Sequence, residues 1–298
     1  MTESSMTLYE INNQPIYVHE EGRKREQVLI LIHGWSSSWF SLSPLLPNMR
    51  KRYRCMAVDL PGYGKTPRPP ERITMDLYAD LLAGLVQQVS KDRQVVLAGH
   101  SMGGMIALIM ALRHPDLVER MILLAPTITG NLSLFINLWS YPITMLERFF
   151  VVDWIVSLFE SQLAWATDRI MRPASLAVKS GMSEEDYHRL RGDARHGGQG
   201  KTRAECYWGM REGNLRGKLN KIKKPTLVIW GLEDNTVPLR DASVMADEMP
   251  KADMRFMPNV SHWPQFEARE QTLRYVDGFL GRPMNLFKVL SSTGAWQE

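Results

Sequence analysis

Residues 95–113 read VVLAGHSMGGMIALIMALR. Val95 to Ala98 form a short apolar, partly β-branched run of the kind that suits a strand buried on both faces. Met102 to Arg113 is apolar nearly all round, holds good helix formers and stops just before Pro115, so it reads as a buried helix. The chain must therefore change from strand to helix within about one residue of Ser101. Such a turn strains the backbone at Ser101 and requires small residues two before and two after it. Gly99 and Gly103 occupy those positions. The turn would lift the Ser101 hydroxyl clear of the sheet, aim a helix N-terminus at it, and leave the Met102 N–H free to bind an oxyanion.

Working outward, the same kind of strand recurs. Val28 to Ile32 is a continuous aliphatic run that ends in His33-Gly34-Trp35-Ser36, and a helix is expected near Phe40 to Met49. A glycine after a strand lets backbone N–H groups face a cleft, so the Trp35 N–H is assigned as a second oxyanion donor. Tyr53 to Leu60 is a further strand. Thr74 offers an N-cap to an amphipathic helix carrying Leu77, Leu81, Leu85 and Val89, and Met121 to Leu124 is another short strand. Alternating strands and helices imply a parallel sheet covered on both faces, with its binding crevice at the carboxyl ends of the strands. Before this series, Thr7 to Tyr9 and Pro15 to His19 flank Asn12-Asn13, which predicts an opening hairpin.

Gly64-Lys65-Thr66 imitates the end of a phosphate-binding loop. The glycine such a loop needs five residues earlier is Asp59 here, and the Pro61 ring removes an amide, so nucleotide binding is rejected. Asp59 is expected to accept hydrogen bonds from turn amides instead.

From about residue 129 to residue 219 the rhythm breaks. Leu132 to Leu138, Ile143 to Phe150 and Trp154 to Leu163 are apolar and aromatic at helical spacing, and Gly197 to Gly200 is a loop. This stretch reads as a helical cap inserted into a core domain of residues 1–128 and 220–298. Pocket candidates are Phe135, Leu138 and Trp139 from the cap, with Ser36, Val237 and Trp263 from the core. Pro225 to Trp230 restores the sheet and runs into Gly231-Leu232-Glu233-Asp234-Asn235, which places a carboxylate just beyond a strand end. Asp234 is preferred over Glu233 because its shorter side chain is more easily fixed. A strand near Met254 to Met257 leads to Ser261-His262-Trp263, and Leu273, Val276 and Leu280 mark a closing helix. A serine hydroxyl is a poor nucleophile near neutral pH and needs a base, which in turn needs an orienting acid. Ser101, Asp234 and His262 supply these three roles in chain order.

The composition is that of an ordinary globular protein, with 298 residues, 44% hydrophobic and 23% charged. The opening residues lack a secretion signal and no apolar run reaches about 18 residues, so a cytoplasmic protein is expected. Cys55 and Cys206 fit unpaired thiols in a reducing compartment. Residues 179–224 hold 12 Lys or Arg against 6 Asp or Glu, a local surplus beside a net charge of +4. No aromatic interleaving or nucleic-acid motif accompanies it, so no nucleic-acid partner is expected. His188 and His196 lack convergent ligands at metal spacing, so no metal is expected. The sequence leaves monomer and homodimer equally open.

The His33-Gly34-Trp35 turn, the Asp59 to Gly64 turn, the Gly99 to Gly103 elbow, the Gly231 to Pro238 acid loop and Ser261-His262-Trp263 together resemble the α/β-hydrolase superfamily from Thr7 to Gly281. Within it the chain is similar to cap-bearing serine esterases. The resemblance implies a mostly parallel central sheet with helices on both faces and an inserted cap. It also implies a carboxylic-ester hydrolase acting on small or medium lipophilic esters without a cofactor. Serine at 101 departs from dehalogenases and epoxide hydrolases, whose nucleophile is aspartate. Trp-Ser-Ser-Ser after His33-Gly34 departs from the Gly-Pro-Gly run of many carbon–carbon bond hydrolases. Lactonase, perhydrolase and carbon–carbon bond hydrolase chemistry on the same triad remain alternatives, and a ligand-binding member with little turnover is a further one.

Overall fold

A computed structural model describes residues 4–146, 181–194 and 199–283. Eight strands form one sheet in the order β1-β2-β4-β3-β5-β6-β7-β8. The strands are β1 (Ser5–Ile11), β2 (Gln14–Glu21), β3 (Val28–Ile32), β4 (Arg54–Val58), β5 (Val95–His100), β6 (Val118–Leu124), β7 (Thr226–Gly231) and β8 (Asp253–Met257). β2 runs antiparallel to both β1 and β4, and every other pairing is parallel. The opening hairpin turns at Asn12 and Asn13, with φ 51° and 62°. Two successive left-handed residues make the tight turn that matches strand twist, and asparagine tolerates it best after glycine.

The aliphatic strands are buried throughout, as their sequence requires. All residues of β3, β5 and β7 are buried. One apolar layer packs β3 and β5 against the helices Met75–Val89 and Met102–Arg113, with Tyr78, Leu82, Met105 and Ile106 in it. The other face is closed by Leu42, Leu45, Met49, Val276 and Phe279, which reach it from 39–49 and from the helix Arg269–Leu280. The helix expected near Phe40 to Met49 is a 3₁₀ turn, Trp39–Leu45, followed by one α-turn, Leu46–Met49. Pro44 and Pro47 each remove an amide from this stretch, which limits a continuous α-helix. Thr74 caps its helix by accepting the Leu77 N–H at 3.0 Å.

Asp59 holds its turn as expected. Its carboxylate accepts the N–H groups of Trp39 (2.9 Å) and Lys65 (3.0 Å). At Gly64, φ is +54° and a Cβ would lie 2.2 Å from that carboxylate, so only glycine fits. Burial pushes the Asp59 carboxyl up to about 6.

Between β6 and β7 the chain leaves the sheet. The described helices there are Leu134–Leu146, Glu184–Ala194 and Gly200–Glu212. Buried Asp241 anchors the departure, accepting the Ile128 and Thr129 N–H groups at 2.7 and 2.9 Å and the Thr129 hydroxyl at 2.8 Å. The stretches 150–163 and 196–198, with His196, lie outside the described residues.

Candidate active site

Ser101 sits between β5 and the helix Met102–Arg113 with φ 55° and ψ −118°. A non-glycine residue held there stores strain, and the surroundings must fix it. They do so through backbone bonds to the next strand: the Ser101 N–H donates to Leu124 O at 3.0 Å and Ser101 O accepts from Thr127 N at 3.1 Å. The two flanking glycines are required for different contacts. A Cβ on Gly99 would lie 2.4 Å from Gly103 O, where strand and helix nearly touch. A Cβ on Gly103 would instead strike the end of neighbouring β3, 2.1 Å from Ile32 O. Backbone strain recurs along this rim, since Ser36 (φ 51°), Ala125 (φ 42°) and Asn259 (φ 60°) also lie just beyond strand ends.

His262 and Asp234 meet on the same rim. His262 Nδ1 donates to Asp234 Oδ2 at 2.9 Å, and both side chains are buried. Asp234 Oδ1 accepts the Thr236 and Val237 N–H groups at 2.8 and 3.0 Å, which fixes the carboxylate. Glu233, the competing acid, turns away and accepts the Val260 N–H at 3.1 Å. The longer acid therefore braces the loop that carries the histidine, and the shorter one holds its ring. Glu267 braces the loop from the other side, accepting the Ser261 and Trp263 N–H groups at 3.2 and 3.0 Å. A Cβ on Gly231 would lie 2.1 Å from Val260 O, so the acid and histidine loops are in backbone contact.

His33 is locked as a neutral ring. Its Nδ1 donates to Gly34 O at 2.7 Å while Nε2 accepts the Leu60 N–H at 3.0 Å. Burial pushes its pKa down to about 4. This ring shapes the turn that carries Trp35, whose indole N–H donates to Arg203 O at 2.9 Å.

A cavity of about 140 Å³ opens over Ser101, room for a benzene-sized group. Trp35, Ser36, Ser101, His262 and Trp263 all line it, so five of the residues singled out from sequence converge there. Met102 is wholly buried beneath, and its N–H, in the first helical turn, has no intrahelical acceptor. Three pocket candidates lie elsewhere. Leu138 is 70% exposed and Phe135 37% exposed, whereas Leu132 and Ile136 line the cavity. Residues four apart share a helical face and Leu138, two positions beyond Ile136, falls on the opposite one. Val237 is buried and serves the Asp234 turn through its N–H. The side chain of Trp139 lies outside the described residues. The sequence reading missed Met182, Tyr187, Leu190 and Met210 on the apolar wall and Ser37, His100, Arg191 and Thr236 among the polar lining. Nothing local distinguishes the apolar four from ordinary packing residues.

Residues 27–269 match the family model described as alpha/beta hydrolase fold. The chain belongs to this family. It is 27% identical over 270 residues to the pimeloyl-(acyl-carrier protein) methyl ester esterase of Nitrosomonas europaea, covering 87% of this chain and 98% of that one. It is 26% identical over 262 residues to the 2-hydroxymuconate semialdehyde hydrolase of Pseudomonas sp. strain CF600, covering 85% and 86%. The fold is also that of a serine hydrolase from Cycloclasticus zankles, with a TM-score of 0.76, 18% identity and coverage of 94% and 98%. No helix among the described residues of this hydrolase is long and apolar enough to cross a membrane.

Proposed function

We propose that this hydrolase cleaves carboxylic esters of small to medium lipophilic substrates through an acyl-enzyme on Ser101. The observation that carries the reading is the buried Asp234–His262 pair at 2.9 Å on the rim of the cavity that holds a strained Ser101. His262 Nδ1 is committed to Asp234, so Nε2 is the nitrogen left to take the Ser101 proton as the hydroxyl attacks a carbonyl. The N–H groups of Trp35 and Met102 receive the oxyanion, each contributing about 3 kcal/mol to the transition state. His262 then protonates the leaving alcohol and activates water to release the acid. No cofactor enters this scheme. Residues 129–219 act as a cap, and its side chains Leu132, Ile136, Tyr187 and Leu190 give the acyl pocket its apolar wall.

Carbon–carbon bond hydrolysis on the same triad is the second reading, favoured by the likeness to the semialdehyde hydrolase and by Arg191 at the cavity wall. Two experiments separate and test these readings. A fluorophosphonate should label the protein once, at Ser101, as located by peptide mass spectrometry, and label at another residue would refute the nucleophile. Hydrolysis of p-nitrophenyl butyrate well above that of a vinylogous 1,5-diketone supports the esterase, and the reverse order supports the alternative.

A further inference from the structure

The cavity has an apolar wall that includes Leu132, Ile136 and Leu190, and its polar lining includes His100, Ser36 and Ser37 alongside Ser101, His262, Thr236 and Arg191. His100 is wholly buried and wedged between rings, 4.5 Å from Trp263 and 4.8 Å from His262 by centroid. Its Nε2 lies 2.8 Å from the His262 carbonyl oxygen, which can only accept, so Nε2 carries the hydrogen. Burial holds the ring neutral, which leaves Nδ1 as a bare lone pair. That atom has no hydrogen-bond partner among the described residues, and neither do the hydroxyls of Ser36 and Ser37. Gly34 keeps the space in front of it open: a Cβ there would sit 3.3 Å from His100 Nδ1 and 3.1 Å from the Ser101 Cβ. Ser36 is held in this lining in a left-handed conformation, φ 51°. A buried polar group left unpaired is destabilising, so three of them beside the nucleophile call for a common ligand.

We propose that His100 Nδ1, as acceptor, and the Ser36 and Ser37 hydroxyls, as donors, form a subsite for a hydroxyl group on the acyl part of the substrate. A hydroxyl is both donor and acceptor, which complements these three groups, while the alkyl remainder fits the apolar wall. The preferred substrates are therefore esters of hydroxylated short-chain acids rather than plain alkanoates. The inference rests on the ester-hydrolase reading of the same cavity.

The test is pH-stat hydrolysis of ethyl butyrate, ethyl 2-hydroxybutyrate and both enantiomers of ethyl 3-hydroxybutyrate. At least one hydroxy ester should exceed ethyl butyrate in kcat/KM by roughly tenfold or more, because the plain ester leaves these three groups unpaired. The ratio, taken within each protein, should fall to about threefold or less in Ser37→Ala and in Ser36→Ala, whatever their absolute rates. Equal rates on all four esters in the parent would overturn the subsite and leave the hydrolase reading standing, as expected if ordered water satisfies these atoms. A preference that survives both substitutions and His100→Phe would also overturn it. Failure to cleave any of the esters would remove the subsite together with the reading on which it rests.

Discussion

The rim of the sheet and the segment inserted between β6 and β7 obey different physical rules. On the rim, backbone contacts leave no freedom: Gly99, Gly103 and Gly231 each face backbone atoms closer than 2.5 Å from where a Cβ would be. Ser101 is placed by a backbone hydrogen bond to the end of β6, Asp234 by amides of its own loop, and His262 by Asp234. In the inserted segment the cavity face is set by side-chain packing, and the helix Leu134–Leu146 leaves Leu134, Leu138 and Tyr141 exposed on its other side. In the proposed scheme the rim specifies the chemistry and the insertion selects the substrate.

The largest effect is expected on the acid loop. Asp234→Asn should lower kcat by about 10⁴-fold, since the amide presents the wrong partner to His262 Nδ1. Glu233→Gln keeps an acceptor for the Val260 N–H and should cost about tenfold at most. Similar losses from both variants would mean that the two acids share the role.

A second pair of substitutions compares the regions directly. Gly103→Ala should destabilise the fold by about 3 kcal/mol or more in urea unfolding, because its methyl would meet Ile32 O. The same change at Gly192, in the helix Glu184–Ala194 with nothing within 4 Å among the described residues, should stabilise by up to about 1 kcal/mol. Equal effects would contradict the division.

The rim also predicts a pH dependence. His33 has a folded pKa of about 4 against an ordinary 6.5, so its contribution is complete above pH 6.5 and is lost as pH falls to 4. The loss amounts to roughly 3 kcal/mol. Asp59 opposes it: with a folded value of about 6, its ionisation weighs on the fold as pH rises from about 4 to 6. Urea midpoints of His33→Gln should decline less than those of the parent between pH 6.5 and 4, and parallel curves would exclude His33 as the source.

The smallest effects test the insertion. Ile136→Ala removes a buried cavity wall and should cost about 2 kcal/mol while shifting preference toward longer acyl chains. Leu138→Ala, on the exposed face, should change stability by less than about 0.5 kcal/mol and leave the chain-length profile alone.

These differences also explain what could be read from the sequence. The strands and the Ser101 turn were legible because burial on both faces writes continuous aliphatic runs, and close backbone approach writes glycine. The choice of Asp234 over Glu233 followed from side-chain length, but the bracing role of Glu233 did not, since it depends on the Val260 amide one loop away. The pocket was legible only on its core side. Ser36 and Trp263 sit beside motifs, whereas Ile136 differs from Phe135 and Leu138, on the same helix, only by helical phase. A one-position error in phase turns a wall residue outward.

Steady-state kinetics on p-nitrophenyl butyrate test most directly whether Ser101 is the nucleophile of an ester hydrolase. Ser101→Ala should lose at least about 10⁴-fold in kcat while retaining the parent's unfolding free energy within about 1 kcal/mol. A folded Ser101→Ala protein that hydrolyses the ester as fast as the parent would contradict that role.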